Sequence, residues 1–139
     1  MEIAAREARY LKLLYEMGGT GRLKHVAASF GVKPATAAEV LAKLVDYGLV
    51  VKAGWGRYRL TQRGLEAARL VTMKHRVLES FLTWVLGYSV EEACILASVF
   101  EHSIPTCIVA RLYESLKRPC SCPHGKPITP AWASEGGEP

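Results

Sequence analysis

Long hydrophobic runs are missing from this sequence: no apolar stretch approaches the ~20 residues that a membrane-crossing helix needs. The residues after Met1 are charged and helical in pattern, without a signal-peptide layout. A soluble, cytoplasmic protein is therefore expected. Cysteine is scarce too, with only Cys94, Cys107, Cys120 and Cys122. Their spacing fits no obvious secreted disulfide framework and two fall inside helical patterns, so reduced thiols are expected. No Walker loop, nucleophile elbow or dinucleotide fingerprint accompanies the His, Glu and Cys residues, which argues against an enzyme. The composition of disorder is also lacking. Half of the 139 residues are hydrophobic, enough for one core or two small ones, with disorder expected only at the end.

Charge is present but unevenly spread. Residues 1–64 hold eleven Lys and Arg against five Asp and Glu, whereas residues 65–139 hold seven against eight. The basic half is the candidate binder of a polyanion.

That half has a recognisable order. A helix predicted over Glu2 to Met17 stops at Gly18-Gly19-Thr20-Gly21, because consecutive glycines favour a turn. A short helix, Leu23 to Phe30, closes at Gly31, and Lys33-Pro34 opens a third, Ala35 to Tyr47. Two short helices around a tight turn predict a helix-turn-helix. Leu49 to Ala53 and Arg57 to Thr61, joined through Gly54-Trp55-Gly56, predict a hairpin with Tyr58 and Leu60 inward, Arg57 and Arg59 outward, and Trp55 at the tip. Helix-turn-helix plus hairpin is a winged helix. Its recognition helix would present Ala35, Thr36, Ala38 and Glu39 to the major groove of DNA, while Lys24, Lys33, Lys43, Arg57 and Arg59 suit phosphates. No bidentate Arg, Asn or Gln stands there, so base specificity is expected to be modest or to depend on shape.

The second half is organised around Met73 to His102. His75 and Glu79 lie one helical turn apart, and after a break at Gly87 a second helix carries Cys94, Ser98, Glu101 and His102 on one face. Imidazole, carboxylate and thiolate converging between helices suit a transition metal. On the other side, Ile95, Leu96, Val99 and Phe100 are expected to press the helix onto a core. Long helices are predicted over Gln62 to Leu86, Ser89 to Ser103 and Ile104 to Arg118. Ser89 and Glu92 form a capping-box signature, and Pro105 fits the first turn of the last helix. Leu78, Phe81, Leu82, Val85, Leu86, Ile108, Leu112, Tyr113 and Leu116 offer more apolar surface than three helices can bury, so a homodimer is expected.

The winged helix, followed by LTQRGLEAARLVTMKHRVLESFL, EEAC, EH and CPHGKPI, resembles the diphtheria-toxin-repressor family of iron- and manganese-dependent transcription regulators, in its short, manganese-regulator-like form. The resemblance extends to Ile128. It implies a mainly α fold with a winged helix-turn-helix at 1–64 and a helical dimerisation and metal-binding domain at 65–128. Residues 129–139 are read as a disordered tail. The implied function is that of a homodimeric repressor on double-stranded DNA with a palindromic operator.

By the same resemblance His75, Glu79, Cys94, Glu101 and His102 take metal-ligand roles, with Mn, Fe or Zn as the implied cofactor. Ser98 stands where relatives offer Cys or Glu, and Arg9 and Lys12 stand where they offer Met, Asp or Glu. Cations in those places repel a divalent ion. Arg9 and Lys12 are therefore read as possible replacements for the metal, paired with Glu101 or Glu79, which would alter or remove the metal response. The alternative is a sequence-tolerant DNA-binding or protein-interaction module without metal sensing. Cys120, Cys122 and His124 have metal-capable side chains, but a structural turn is favoured over a Zn or redox site.

Overall fold

The computed structural model describes residues 2–132, which form two compact units dividing between Arg69 and Leu70. The fold is mainly helical, a winged helix-turn-helix followed by a helical unit. No described helix is long and apolar enough to cross a membrane.

In the first unit, α1 (Ala5–Glu16) buries Ala8, Tyr10, Leu11 and Leu14, a three- and four-residue spacing that lines one face. Tyr10 stacks on Phe30 with ring centroids 4.3 Å apart. The glycines after α1 do more than end it. Gly18 and Gly19 adopt φ of 89° and 96°, turning the chain so that Thr20–Arg22 pairs as a strand, β1, where a turn was expected. Next come α2 (Leu23–Phe30), closed by Gly31 in the left-handed region, and α3 (Pro34–Asp46), whose first residue lacks an N–H that would be unpaired there anyway. Ala37, Val40, Leu41 and Leu44 of α3 are buried.

Strands β2 (Val50–Lys52) and β3 (Arg57–Leu60) complete an antiparallel sheet in the order β1-β3-β2. Alternation along β3 buries Tyr58 and Leu60 and exposes Arg57 and Arg59, as expected from the period of two. At the entry to α4 (Gln62–Trp84), the Thr61 hydroxyl donates to Gly48 O at 2.7 Å and accepts from Gly64 N at 3.0 Å. Gly64 is required by close approach: a β-carbon there would lie 1.8 Å from the Leu49 carbonyl oxygen.

The second unit contains the rest of α4, then α5 (Val90–Phe100) and α6 (Thr106–Ser115). The expected capping box opens α5: Ser89 N donates to Glu92 and Glu92 N donates to the Ser89 hydroxyl, both at 3.1 Å. Pro105 is the N-cap of α6, one residue outside the helix.

The face of α5 differs from expectation. Ala93 and Ala97 are the fully buried residues, packed with Leu78 and Leu82 of α4, while Ile95, Val99 and Phe100 are exposed and Leu96 is half-buried. The small residues form the buried seam with α4, and the large apolar stripe faces outward. Thr129 to Trp132, expected within a disordered tail, are also a correction. Thr129 N donates to Met73 Sδ, Ala131 and Trp132 are buried, and Trp132 meets Tyr113 edge-on at 5.2 Å. The remainder of that expected tail, 133–139, lies outside the described residues.

Candidate metal centre and nucleic-acid interface

The centre of the second unit is a polar cluster on a buried stretch of α4. Helical spacing puts His75 and Glu79 on one face, with Nε2 3.5 Å from Oε2. Cys94, carried in by α5, places Sγ 3.5 Å from the same Nε2. The opposite ring atom, His75 Nδ1, stands 2.5 Å from Oε1 of fully buried Glu101. With Nδ1–H donating to Glu101, Nε2 is the ring atom turned toward Glu79 and Cys94: protonated it donates to the Glu79 carboxylate, and on losing that proton it would offer its lone pair to a metal, with the carboxylate behind the ring fixing the tautomer. His75, Glu79 and Cys94 offer three donor atoms within 4.8 Å of one another.

Glu79 also belongs to a second group. Its Oε2 lies 3.1 Å from His124 Nδ1, and the Cys122 thiol donates to its carboxylate. Glu79, Cys122 and His124 again present three donors within 4.8 Å. The CPHG segment supplies both groups because it is a tight turn: Gly125 N donates to Cys122 O at 2.8 Å, Gly125 has φ 79°, and Ser121 bridges to Pro127. Arg76 Nη1 holds the turn to α4 through Pro127 O at 2.6 Å. The favoured reading of this segment as a structural turn thus captures its backbone but overlooks that its Cys and His converge on Glu79. The signal was Cys and His two apart, which sequence spacing alone could not tie to a residue 45 positions away.

Burial would push the Glu79 carboxyl up. Hydrogen bonds from His75 and Cys122 and the charges of His75 and His124 outweigh it and hold the group below its ordinary value. Burial pushes the Cys122 thiol up, and donation to Glu79 keeps its proton in place.

The other expected donors fall differently. Glu101 stands behind His75, and neither it nor His102 joins the two three-donor groups among the described residues. His102 is half-buried, and its buried Nδ1 has no hydrogen-bond partner. Ser98 donates to Cys94 O at 3.1 Å. Arg9 and Lys12 lie half-buried on α1, within the first unit.

The candidate nucleic-acid residues all lie in the first unit. Lys24, Lys33, Ala35 and Glu39 are exposed and Thr36 and Ala38 half-exposed, around α2 and the start of α3, while exposed Lys43 lies in the last turn of α3. Arg57 and Arg59 are exposed on β3, and the register sets Arg22 of β1 directly opposite Arg57. Arg22 escaped the sequence reading because β1 did.

Together these features define a winged-helix protein with a buried N, O and S donor cluster. Residues 61–130 match the family described as "Iron dependent repressor, metal binding and dimerisation domain". The iron-dependent repressor IdeR of Mycobacterium tuberculosis is 28% identical over 130 residues, 91% of this chain and 56% of that protein. Among solved structures, the manganese regulator SloR superposes with a TM-score of 0.77 at 32% identity, covering 88% of this chain and 62% of the other. ScaR with bound Zn²⁺ gives 0.73 at 36% identity, covering 90% and 60%. The chain belongs to the diphtheria-toxin-repressor family of iron-dependent repressors. It spans about half the length of the curated relatives it matches, and those relatives are transcription regulators.

Proposed function

We propose that the protein is a homodimeric repressor that binds double-stranded DNA at a palindromic operator and is modulated by a divalent transition ion, Mn, Fe or Zn. The observation that carries this reading is the oriented imidazole: Glu101 fixes His75 so that Nε2 faces Glu79 and Cys94. Three donors of mixed N, O and S type fit a borderline divalent ion better than Mg²⁺ or Ca²⁺. A bound ion would supply positive charge that holds these groups together. Glu79 would meet it as a carboxylate, and Cys94 would bind it as the thiolate.

Glu79, Cys122 and His124 form a second donor set on the same carboxylate, and Glu101 with His102 a third candidate pair. The exposed apolar residues Trp84, Val85, Leu86, Ile95, Val99 and Ile108 support a second copy as the partner of this unit. In the other unit, basic residues line the helix-turn-helix and wing.

The test is binding of chelator-treated protein to its own upstream DNA, with nonspecific competitor, before and after Mn²⁺, Fe²⁺ or Zn²⁺. Metal-dependent, competitor-resistant binding supports the proposal; no duplex binding under any condition refutes it.

A second reading, DNA binding without metal sensing, is favoured by Ser98, whose hydroxyl is engaged with Cys94 O, and by the cations Arg9 and Lys12. Under it, tight binding persists without metal, and replacing Arg9 and Lys12 by Ala lowers affinity. If binding is only phosphate contact, affinity falls steeply with salt for every sequence, whereas operator binding keeps a specificity ratio.

A further inference from the structure

Trp55 is fully exposed, at 103% of its reference surface. A large aromatic side chain in that position contributes nothing to the core. Its place is the tip of the wing, where Ala53 N donates to Arg57 O at 2.8 Å and Trp55 sits between Gly54 at φ 115° and Gly56 at φ 59°. The tip is anchored: Leu23 N, at the start of α2, donates to Gly56 O at 2.6 Å. Trp55 is therefore presented on a hydrogen-bonded turn.

Its surroundings are cationic. Arg22 and Arg57 are direct cross-strand partners, with Arg59 two residues further along the same face. Like charges directly opposite one another destabilise a sheet unless something neutralises them. The tip sequence, Ala53-Gly54-Trp55-Gly56-Arg57, contains no other large apolar residue. An exposed indole on a turn that leads into a strand bearing Arg57 and Arg59, with Arg22 opposite, is a poor match for an apolar protein surface. It matches a narrow groove walled by phosphates, with bases at its floor.

Meanwhile the start of α3 carries Ala35, Thr36, Ala38 and Glu39, none of which can make the bidentate purine contacts of Arg, Asn or Gln. We infer that Trp55 enters the DNA minor groove as an aromatic wedge, while Arg22, Arg57 and Arg59 hold the flanking phosphates, so that the wing reads the ease with which a base step opens. Pyrimidine–purine steps open most readily, and the absence of the guanine amino group leaves the groove floor clear. This inference rests on the DNA-binding reading above.

The test uses the full chain, with Mn²⁺ or Zn²⁺ present, on duplexes of equal length in alternating TA, alternating IC and alternating GC sequence. Inosine–cytosine keeps the major-groove pattern of G·C but lacks its minor-groove amino group, which separates the two grooves. Replacing Trp55 by Ala is expected to weaken binding to the TA and IC duplexes about tenfold, the scale of one lost stacking contact. Binding to GC should weaken by less than about threefold, with an unchanged slope of log affinity against log salt because no charge is removed. Replacing Arg57 and Arg59 by Gln should instead lower that slope on all three.

In the saturated TA complex, tryptophan emission should become shielded from acrylamide, and W55F should lose that shielding. Because the side chain is exposed, W55A should keep the wild-type circular dichroism and melting temperature. Unchanged affinity of W55A, an equal loss on all three duplexes, or undiminished acrylamide quenching in the complex overturns the wedge while leaving DNA binding intact. Binding of its own upstream DNA but of none of the three duplexes overturns the wedge alone, whereas failure to bind any of the four overturns both readings.

Discussion

His75 and Glu101 stand back to back, Nδ1 against Oε1 at 2.5 Å across 26 residues of sequence. Glu101 comes from the C-cap position of α5 and His75 from the middle of α4, so the contact ties two helices through one ring. The expected outcome for Glu101→Gln is a loss of about 10–100-fold in affinity for Zn²⁺ or Co²⁺, the scale seen when the group behind a liganding histidine is removed. Chelator competition measures it. Unchanged affinity would show that the tautomer is set elsewhere.

Sharing of Glu79 between two donor groups makes a distinct expectation for its neighbours. Titration with Co²⁺, followed by thiolate-to-metal absorption, should lose one component in Cys94→Ser and another in Cys122→Ser, with His124→Ala resembling the latter. Glu79→Gln should weaken both. Identical spectra for all four variants would remove both sites from consideration.

The Glu79 carboxyl is held below its ordinary value of 4.5 despite burial. As pH falls, the unfolded chain therefore takes up the proton first. Stabilisation from this group is complete above the ordinary value and fades as pH falls through the lower, folded value. The metal-free protein should accordingly melt at lower temperature on acidification below that point, and Glu79→Gln should flatten this part of the curve. An equally steep acid limb in the variant would assign the loss to other carboxylates.

Gly64→Ala should be costly although its φ is unremarkable, because the new methyl would meet the Leu49 carbonyl at 1.8 Å. Overpacking of this kind costs about 1–3 kcal/mol or more. A chemical denaturation midpoint equal to that of the parent protein would show that the α4 entry shifts freely.

Ile95→Arg, with Val99→Glu as a second variant, should convert the proposed dimer to monomer in analytical ultracentrifugation with little change in circular dichroism, since both side chains are largely exposed, at 68% and 61%. Dimers retained by both variants would move the interface elsewhere.

Glycine placement, Pro34, the alternation in β3 and the Ser89–Glu92 box made most of the fold legible in sequence, because each acts over a few residues. Pairing over longer distances was less legible. Thr20–Arg22 carries little strand signal, and it becomes a strand because β3 is there to receive it. For α5, apolar periodicity identified a helix but chose the wrong face, since a seam of alanines competes poorly with Ile, Val and Phe in any count of hydrophobicity. His75, Glu79 and Cys94 were paired by helical spacing plus resemblance. Cys122 and His124 reached Glu79 only through a chain reversal that spacing does not encode.

Ala93 and Ala97 flank Cys94 in sequence and are wholly buried against Leu78 and Leu82. Helix axes separate according to the side chains at their contact, within about 8–10 Å, so these two methyl groups act as the spacer that brings sulfur to imidazole. A residue one or two carbons larger at either position would part Cys94 from His75 without touching a single donor atom. The dimensions of the polar cluster are thus written in residues that have no polar side-chain atoms at all.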